Sequence, residues 1–515
     1  MPTESAPTPA AKPPQPAESH AAVDLRTAKV LVVGAGIMGA GIAQVAAQAG
    51  HTVQLFDVRE GAAPNAIDKL RSSLATLVAK GKMQAADVDA LLGRIAPIAS
   101  LHDAASCTLV VEAIVENVDA KRALWQQLEA IVADDCVLAS NTSSISITAM
   151  AQGLRLPQRL VGMHFFNPVP LMKLVEVVSG LHTAAPIADA IFALAQHWGK
   201  VAVHARSTPG FIVNRIARPY YAEALALLQE QCARPVVLDA CLKGIGFRMG
   251  PCELMDLIGH DTNFAVTQSV YQANFYDKRY VPSLLQRELV DGGLLGRKSG
   301  RGIYDYAEGA AHAELATLST AAAPALSGVT LHGSGSRMDA WARRLSDVGV
   351  SFTHDHSSDW TGLSTPTLHL RQTDGRTATS LGTHVAVFDM AFASEGSRVL
   401  AWAPSLRASA ECKSEAQDWL SLLGYQPQQV ADQSALIVAR TVAMLINEAA
   451  DAVQQGVCTV EGANQAMRLG VNYPAGPFDW LAAWSAQGVI DVLQALDAQY
   501  RGERYRVSPW LRQQV

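Results

Sequence analysis

Two residues in the stretch Val161-Gly-Met-His-Phe-Phe-Asn-Pro-Val-Pro-Leu-Met-Lys-Leu-Val-Glu176 could do acid–base chemistry together: His164 and Glu176, twelve positions apart on what read as adjacent strands. A carboxylate that orients an imidazole makes a general base with a pKa near working pH. A lone histidine after a strand is more often a core residue satisfied by hydrogen bonds. The pair gains weight because a cofactor motif lies upstream, and an imidazole base beside a nicotinamide would serve alcohol oxidation.

That motif follows Lys29-Val-Leu-Val-Val, an apolar run suited to a buried parallel strand, which turns directly into Gly34-Ala-Gly36-Ile-Met-Gly39 and an Ala-rich helical stretch. Gly34 permits the tight turn, Gly36 lets backbone approach a pyrophosphate, and Gly39 lets the helix sit close to the strand. A second strand ends at Asp57, 18 residues after Gly39. An acid there accepts from both ribose hydroxyls and repels a 2′-phosphate, so NAD is expected over NADP, although Arg59 beside it could meet such a phosphate.

Around these residues the chain must build an open sheet. Strands are predicted at Thr108–Ala113, Cys136–Asn141, Leu160–Phe165 and Leu174–Val178, with helices at 119–133 and 187–197 as crossovers. Ligands bind beyond the carboxyl ends of such strands, where Glu116, Ser143, His164 and Asn167 fall. A long polar helical insertion at roughly 61–95 carries Ser73, Lys80 and Lys82. It is either a plain surface arm or a cover over a long substrate.

The whole chain limits the remaining possibilities. Its 515 residues predict two to four domains, and a net charge of −6 without a Lys/Arg cluster argues against nucleic acid. Seven scattered cysteines without a CxxC pair point to a reduced compartment and to no zinc site, and no metal is expected. No apolar run is long enough to span a bilayer. The Pro/Ala-rich residues 1–27 lack the apolar stretch of a signal peptide and read as a disordered tail, with the cytoplasm as location.

At VVGAGIMGAGIAQVAAQAG, VVEAIVENVDAK, ASNTSSISIT, GMHFFNPVPLMKLVEVV, TPGFIVNR and GRKSGRGIYDY, across about 28–306, the chain resembles the L-3-hydroxyacyl-CoA dehydrogenase family. The resemblance implies that His164 takes the proton of the 3-hydroxyl, Glu176 orients the imidazole, and Ser143 and Asn214 bond the reacting oxygen and thioester side. It implies that Glu116, Lys121, Ser143, Asn167 and Lys298 approach NAD, and that Ser73, Lys80 and Lys121 contact the coenzyme A moiety. The duplicated architecture with GFRMGPCELMDLIG is similar to members of bacterial phenylacetate catabolism that oxidise 3-hydroxyadipyl-CoA, with 3-hydroxybutyryl-CoA as the alternative substrate.

The second half reads as a worn copy of the first. Residues 199–224 align on 424–449 without a gap at an offset of 225, pairing Arg215 with Arg440 and Glu223 with Glu448. Gly246–Pro251 matches Asn472–Pro477, and Gly333-Ser-Gly335-Ser-Arg-Met338 echoes the glycine turn with Met for Gly39. Ala439 replaces Asn214, so the copy is expected to be scaffolding. The fold class is therefore α/β plus all-α: a tail (1–27), an N-terminal Rossmann-type doubly wound sheet (28–207), a helical domain (208–306), a linker (307–325), a degenerate Rossmann-like domain (326–425) and a second helical domain (426–515). The two helical domains are expected to pair within one chain, burying Val442, Leu445, Ile446 and Ala449, with further homo-oligomers possible. Arg248 stands where the copy has Pro474 before a Gly-Pro turn, which suggests a contact to a distal substrate carboxylate, the plainer alternative being a solvated surface arginine.

Two rival readings discriminate themselves. A dehydrogenase of small sugar acids would not need Ser73, Lys80 and Lys121, and a non-catalytic NAD-binding protein would not need His164 and Glu176.

Overall fold

The computed structural model describes residues 23–310, 314–315, 328–392 and 399–515. Its first sheet contains β1 (Val30–Val33), β2 (Val53–Phe56), β3 (Ile95–Pro97), β4 (Leu109–Glu112), β5 (Val137–Ser140), β6 (Leu160–Phe165), β7 (Leu174–Ser179) and β8 (Val201–Arg206), in the order β3-β2-β1-β4-β5-β6-β7-β8. β1, β4 and β5 are apolar and buried at nearly every position, because helices cover both faces of a parallel sheet. One neighbouring pair breaks the parallel pattern. β6 and β7 run antiparallel, and their register sets His164 directly opposite Glu176. Directly opposed residues of an antiparallel pair share a face, so the twelve-residue spacing becomes a side-chain contact.

The helical insertion forms as Ala62–Ala79 and Ala85–Leu92. Helices Arg218–Gln229 through Leu284–Asp291 build the first helical domain. The second sheet contains β9 (Val329–His332), β10 (Phe352–Asp355), β11 (Gly362–Ser364), β12 (His369–Gln372), β13 (Val385–Phe388), β14 (Val399–Pro404) and β15 (Gln426–Gln429). Its order is β10-β9-β11-β12-β13-β14-β15, with β11 antiparallel to both neighbours where the first sheet has the parallel β4. β13, β14 and β15 repeat the antiparallel-then-parallel pairing of β6, β7 and β8.

Three boundary readings shift. β15 lies beyond 425, so the second sheet runs past the boundary expected for it, at the place where the 225-residue offset sets the copy of β8. Leu25 is buried and Val23 packs against the core, so the last residues of the expected tail join it, while residues 1–22 lie outside the described residues. Most of the expected linker, 311–313 and 316–325, also lies outside them.

The two halves share one continuous hydrophobic core, from Leu31 and Val110 of the first sheet through Ile212 and Tyr220 to Val442, Val387 and Ala401. Helix Val438–Gln454 is buried on all sides, including the expected face of Val442, Leu445, Ile446 and Ala449. Its charged residues Arg440, Glu448 and Asp451 are buried because each finds a charge partner across the halves, and the pairs of Arg440 and Glu448 obey the 225-residue offset. Arg215 Nε meets Glu448 Oε1 at 2.6 Å, and Arg440 Nε meets Glu223 Oε2 at 2.8 Å. Tyr280 donates to Glu448 at 2.5 Å, and Tyr505 to Glu223 at 3.0 Å. Arg279 meets Glu448 at 3.4 Å, and Arg504 meets Glu223 at 2.7 Å. Two backbone bonds are reciprocal as well: the Arg206 amide donates to the Val457 carbonyl and the Ala431 amide to the Cys232 carbonyl, both at 2.9 Å. In each case one copy's donor meets the other's acceptor and the reverse, which is the pattern of a two-fold self-complementary surface.

These charges are sealed from water: Arg440, Glu223 and Glu448 have no exposed surface. Burial opposes ionisation of Glu223, but Arg504 and Arg440 outweigh it and hold its carboxyl below the usual range. Removing one partner of a buried pair leaves an uncompensated charge and costs about 3–5 kcal/mol. Arg440→Met is therefore expected to lower stability by about that amount in urea unfolding. A loss below about 1 kcal/mol, the scale of exposed pairs, would contradict the assignment of these contacts as the joint between halves.

Candidate active site

β6 and β7 bring His164 Nδ1 to 2.5 Å from Glu176 Oε2. Both side chains are nearly sealed, at 6% and 0% exposure, so little water competes for the contact. The other Glu176 oxygen, Oε1, accepts from the amides of Ile212 and Val213, each at 3.0 Å. With Nδ1 engaged, Nε2 is the nitrogen left to face a reacting proton. Phe166 and Phe211 flank the ring, with centroids at 4.5 and 5.8 Å.

The amides that hold Glu176 exist because the chain turns sharply before helix Val213–Ile216. Gly210 and Phe211 both adopt left-handed backbone, at φ 79° and 47°. A Cβ on Gly210 would come within 3.0 Å of the Arg215 amide, so glycine suits the tight approach. The next residue after the clamp, Asn214, donates to the Ser143 carbonyl at 3.4 Å. Ser143, Ser144, Asn214 and Glu116 then line a cleft of about 230 Å³ closed by Val266, Ser269 and Val270 of helix His260–Ala273.

Glu116 organises the Ser143 loop. Its Oε1 accepts from Thr142 Oγ1 at 2.7 Å and from the amides of Ser143 and Ser144 at 3.0 and 3.2 Å. Its Oε2 faces Lys121 Nζ at 3.2 Å, and Lys121 also meets Glu112 at 2.5 Å. Burial opposes ionisation of Glu116, but Lys121 and these hydrogen bonds hold its carboxyl below the usual range. Glu112 in turn accepts from Ser140 Oγ at 2.6 Å. The sequence reading passed over Glu112, which looks like any polar end of a buried strand.

At the glycine turn, a Cβ on Gly39 would fall 1.7 Å from the Gly34 carbonyl oxygen, while one on Gly36 would meet nothing within 4 Å. The turn is therefore closed toward the strand and open toward a ligand. The helix that follows has no side-chain cap and leaves Ile37 79% exposed, so its amides point at free space as pyrophosphate binding requires. A groove of about 610 Å³ extends from Gly36 past Arg59, Lys69 and Ser73 to Asn167 and Pro168. Asp57 is fixed beside it by the Ala35 amide at 2.8 Å and by a two-point contact with Arg59 at 2.9 and 3.0 Å. The Arg59 contact, chiefly, brings the Asp57 carboxyl down to about 2. These residues fit a dinucleotide: the turn would hold its phosphates and Asp57 its ribose.

Not every expected residue joins the site. Lys121 is 1% exposed and locked between Glu112 and Glu116, so it cannot reach coenzyme A and acts on Glu116 instead. Lys298 places its amine on Asp261 at 2.5 Å and lines neither the cleft nor the groove. Lys80 is exposed at the end of helix Ala62–Ala79, outside the groove that Ser73 lines. Arg248 is exposed on the turn before Pro251 and does not line the cleft. Lys69, one turn before Ser73 on the same helix, is in the groove although sequence reasoning missed it. An i, i+4 relation to Ser73 would have found it.

The copy departs from the first half at these positions. The paired registers put Asp389 in the place of His164 and Ala401 in the place of Glu176. Asp389 reaches the amides of Ile437, Val438 and Ala439 at 2.9, 2.7 and 2.9 Å, so a buried carboxylate still holds the turn while the histidine is gone. Burial pushes the Asp389 carboxyl up to about 6 despite those amides. Met338, fully buried, stands where Gly39 does.

Because Lys121 contacts carboxylates only, Lys121→Met should weaken NAD binding at least about tenfold through a displaced Glu116, the order of losing one charged hydrogen bond. The KM for an acyl-CoA should change less than about threefold, since no ligand contact to coenzyme A is removed. A larger effect on the acyl-CoA than on NAD, by steady-state kinetics, would contradict this placement.

Comparison with known proteins matches the architecture segment by segment. The profile "3-hydroxyacyl-CoA dehydrogenase, NAD binding domain" covers residues 29–208, and "3-hydroxyacyl-CoA dehydrogenase, C-terminal domain" covers 210–306 and again 436–515. Between the two helical segments, "3-hydroxybutyryl-CoA dehydrogenase reduced Rossmann-fold domain" covers 370–433. The 3-hydroxyadipyl-CoA dehydrogenase of Escherichia coli K12 is 43% identical over 94% of this chain and 97% of its own. A probable 3-hydroxybutyryl-CoA dehydrogenase of Bacillus subtilis is 43% identical over 54% of this chain and 98% of its own, and so corresponds to about half of it. A crystal structure of 3-hydroxybutyryl-CoA dehydrogenase from Escherichia coli K12 superposes with a TM-score of 0.85 at 41% identity, covering 95% and 98% of the two chains. The chain belongs to the 3-hydroxyacyl-CoA dehydrogenase family of NAD-binding oxidoreductases, with the family's two domains followed by a reduced set of the same two.

Proposed function

We propose that the chain oxidises the 3-hydroxyl of an L-3-hydroxyacyl-CoA, with His164 as base. The observation that carries this reading is the 2.5 Å contact from His164 Nδ1 to a Glu176 whose second oxygen is held by two amides. In this scheme His164 Nε2 takes the hydroxyl proton and Glu176 stabilises the imidazolium that forms. NAD, at the glycine turn beside Asp57, supplies the acceptor for the hydride from C3. Ser143 and Asn214 donate to the oxygen that becomes a ketone and to the thioester side, and Glu116 keeps the Ser143 loop in place. Asn167 and Gly36 line the groove that would take the dinucleotide, and Ser73 and Lys69 extend it toward the coenzyme A side.

3-Hydroxyadipyl-CoA is the acyl substrate we favour, because the Escherichia coli relative that bears that name matches 94% of the chain, whereas the Bacillus subtilis one matches 54% of it. 3-Hydroxybutyryl-CoA is the second reading, supported by the name of the similar crystal structure. We place the protein in the cytoplasm, in keeping with seven unpaired cysteines. Among the described residues no helix is long and apolar enough to cross a membrane. His164→Gln should lower kcat by roughly 10²–10⁴, the usual contribution of a general base, while NAD affinity stays within about twofold. Retention of more than about a tenth of the NADH formation rate would refute the base assignment.

We further propose that the two helical domains act as an intramolecular pseudo-dimer that replaces a partner chain. The reciprocal contacts of Arg215 with Glu448 and Arg440 with Glu223 support it, and tethering gives the copy a high effective concentration over any free partner. A chain ended after Tyr306 would expose that surface. Size-exclusion chromatography should then show self-dimerisation or aggregation. A monomeric, fully active fragment would show the second half to be dispensable.

A further inference from the structure

Arg218 is the one arginine buried in the paired helical domains that meets no carboxylate among the described residues. Arg215 and Arg279 have Glu448, and Arg440 and Arg504 have Glu223. Arg218 is just as inaccessible, at 6% exposure, yet its contacts are all neutral. Nε donates to the Asn214 carbonyl at 3.0 Å, Nη1 donates to Thr267 Oγ1 at 3.2 Å, and the guanidinium lies 4.9 Å from the Tyr221 ring centre. No described acceptor meets Nη2. A buried cation without a counter-charge is costly unless an anion arrives to share the site.

The place of this arginine suggests which anion. It lines a cavity of about 510 Å³ with Thr267, Tyr271 and Gln286, at the seam between helices Arg218–Gln229 and His260–Ala273. The second of those helices also closes the cleft at Ser143 and Asn214, through Val266 and Val270. Arg218 opens the helix that follows the short helix Val213–Ile216, which carries Asn214, and its guanidinium is tied to the Asn214 carbonyl at 3.0 Å. Three carbon–carbon bonds beyond a reacting C3, at about 1.5 Å each, span roughly 4 Å when extended. A carboxylate at C6 of an acyl chain held at Asn214 therefore comes within reach of a guanidinium anchored on the Asn214 backbone.

The internal copy provides an independent observation. At the same 225-residue offset the copy keeps the arginines and glutamates of the joint, but it has Ala439 for Asn214 and Ala443 for Arg218. Both alanines are fully buried. An arginine that served the joint between halves would have a reciprocal partner, as the others do. Arg218 was replaced together with a residue of the cleft.

We propose that Arg218 receives the distal carboxylate of a dicarboxylyl-CoA and so sets the preference for a charged acyl end, an assignment that rests on the 3-hydroxyacyl-CoA reading above. A planar guanidinium with a free Nη2 can grip a carboxylate at two points. Arg248, exposed on its turn, is the competing candidate.

The experiment measures kcat/KM for 3-hydroxyadipyl-CoA and for 3-hydroxyhexanoyl-CoA, which has the same chain length and a methyl in place of the carboxylate. It compares the full-length wild type, Arg218→Met, Arg218→Lys and Arg248→Ala. Unfolded protein lowers both rates equally and cancels in the ratio, and the lysine variant keeps the charge should the methionine variant yield no folded protein. The wild-type ratio should favour the dicarboxylate. It should fall at least about thirtyfold in Arg218→Met, fall less in Arg218→Lys, where one point of contact is retained, and stay within about threefold in Arg248→Ala. A ratio unchanged in both Arg218 variants, or a collapse in Arg248→Ala alone, would overturn the assignment while leaving the adipyl reading intact. A wild type that prefers the hexanoyl substrate would instead refute the adipyl reading itself.

Discussion

The site depends on one carboxylate with two obligations. Glu176 stands on the first sheet, yet its oxygens divide between His164 on the neighbouring strand and the amides of Ile212 and Val213 at the entrance to the helical domain. The His164 imidazole is therefore oriented by a carboxylate that is itself held only when the two domains are joined in this way. Two consecutive left-handed residues, Gly210 and Phe211, are needed to aim those amides inward. Strain of that kind persists where the surroundings fix it, and here the surroundings are the core of both halves.

The copy shows how the same constraint survives without chemistry. Ala435 and Leu436 repeat the left-handed pair at the same offset, without a glycine to ease it. Asp389 holds the corresponding amides from the position of His164. Backbone amides buried at a helix entrance need an acceptor whether or not a histidine is present, because a buried donor left unpaired is costly. What was kept is what the fold needs: the turn, its carboxylate and the reciprocal charges of the joint. What was lost are the residues at 164, 176 and 214 to which the proposed chemistry gives its roles.

Much of this was legible in the sequence, for physical reasons that can be named. Gly34, Gly36, Gly39 and Asp57 announce a phosphate turn because strand, turn and helix follow one another within a few residues. The His164–Glu176 contact could be anticipated because antiparallel neighbours convert a short loop into a fixed register. Other parts lay beyond local reading. Lys121 reads as an exposed helix lysine, and only the packing of its helix over β4 seals it against Glu112. Helix Val438–Gln454 looks amphipathic, but its polar face is buried too, since Arg440 and Glu448 find partners about 210–240 residues away. A signal for those partners did exist. The pair Arg279-Tyr280 recurs as Arg504-Tyr505 at the same offset of 225, two residues too few to stand out before the contacts were seen.

If Glu176 acts through His164, the two residues form one unit and their losses must not add. A double-mutant cycle in kcat for His164→Gln, Glu176→Gln and the combined variant tests this directly, since glutamine keeps an acceptor for the amides of Ile212 and Val213 while removing the carboxylate from the imidazole. The account predicts that the combined variant is within about threefold of His164→Gln alone, as expected for residues that act as a unit. Losses that multiply, so that the double variant falls by the product of the two single effects, would contradict it.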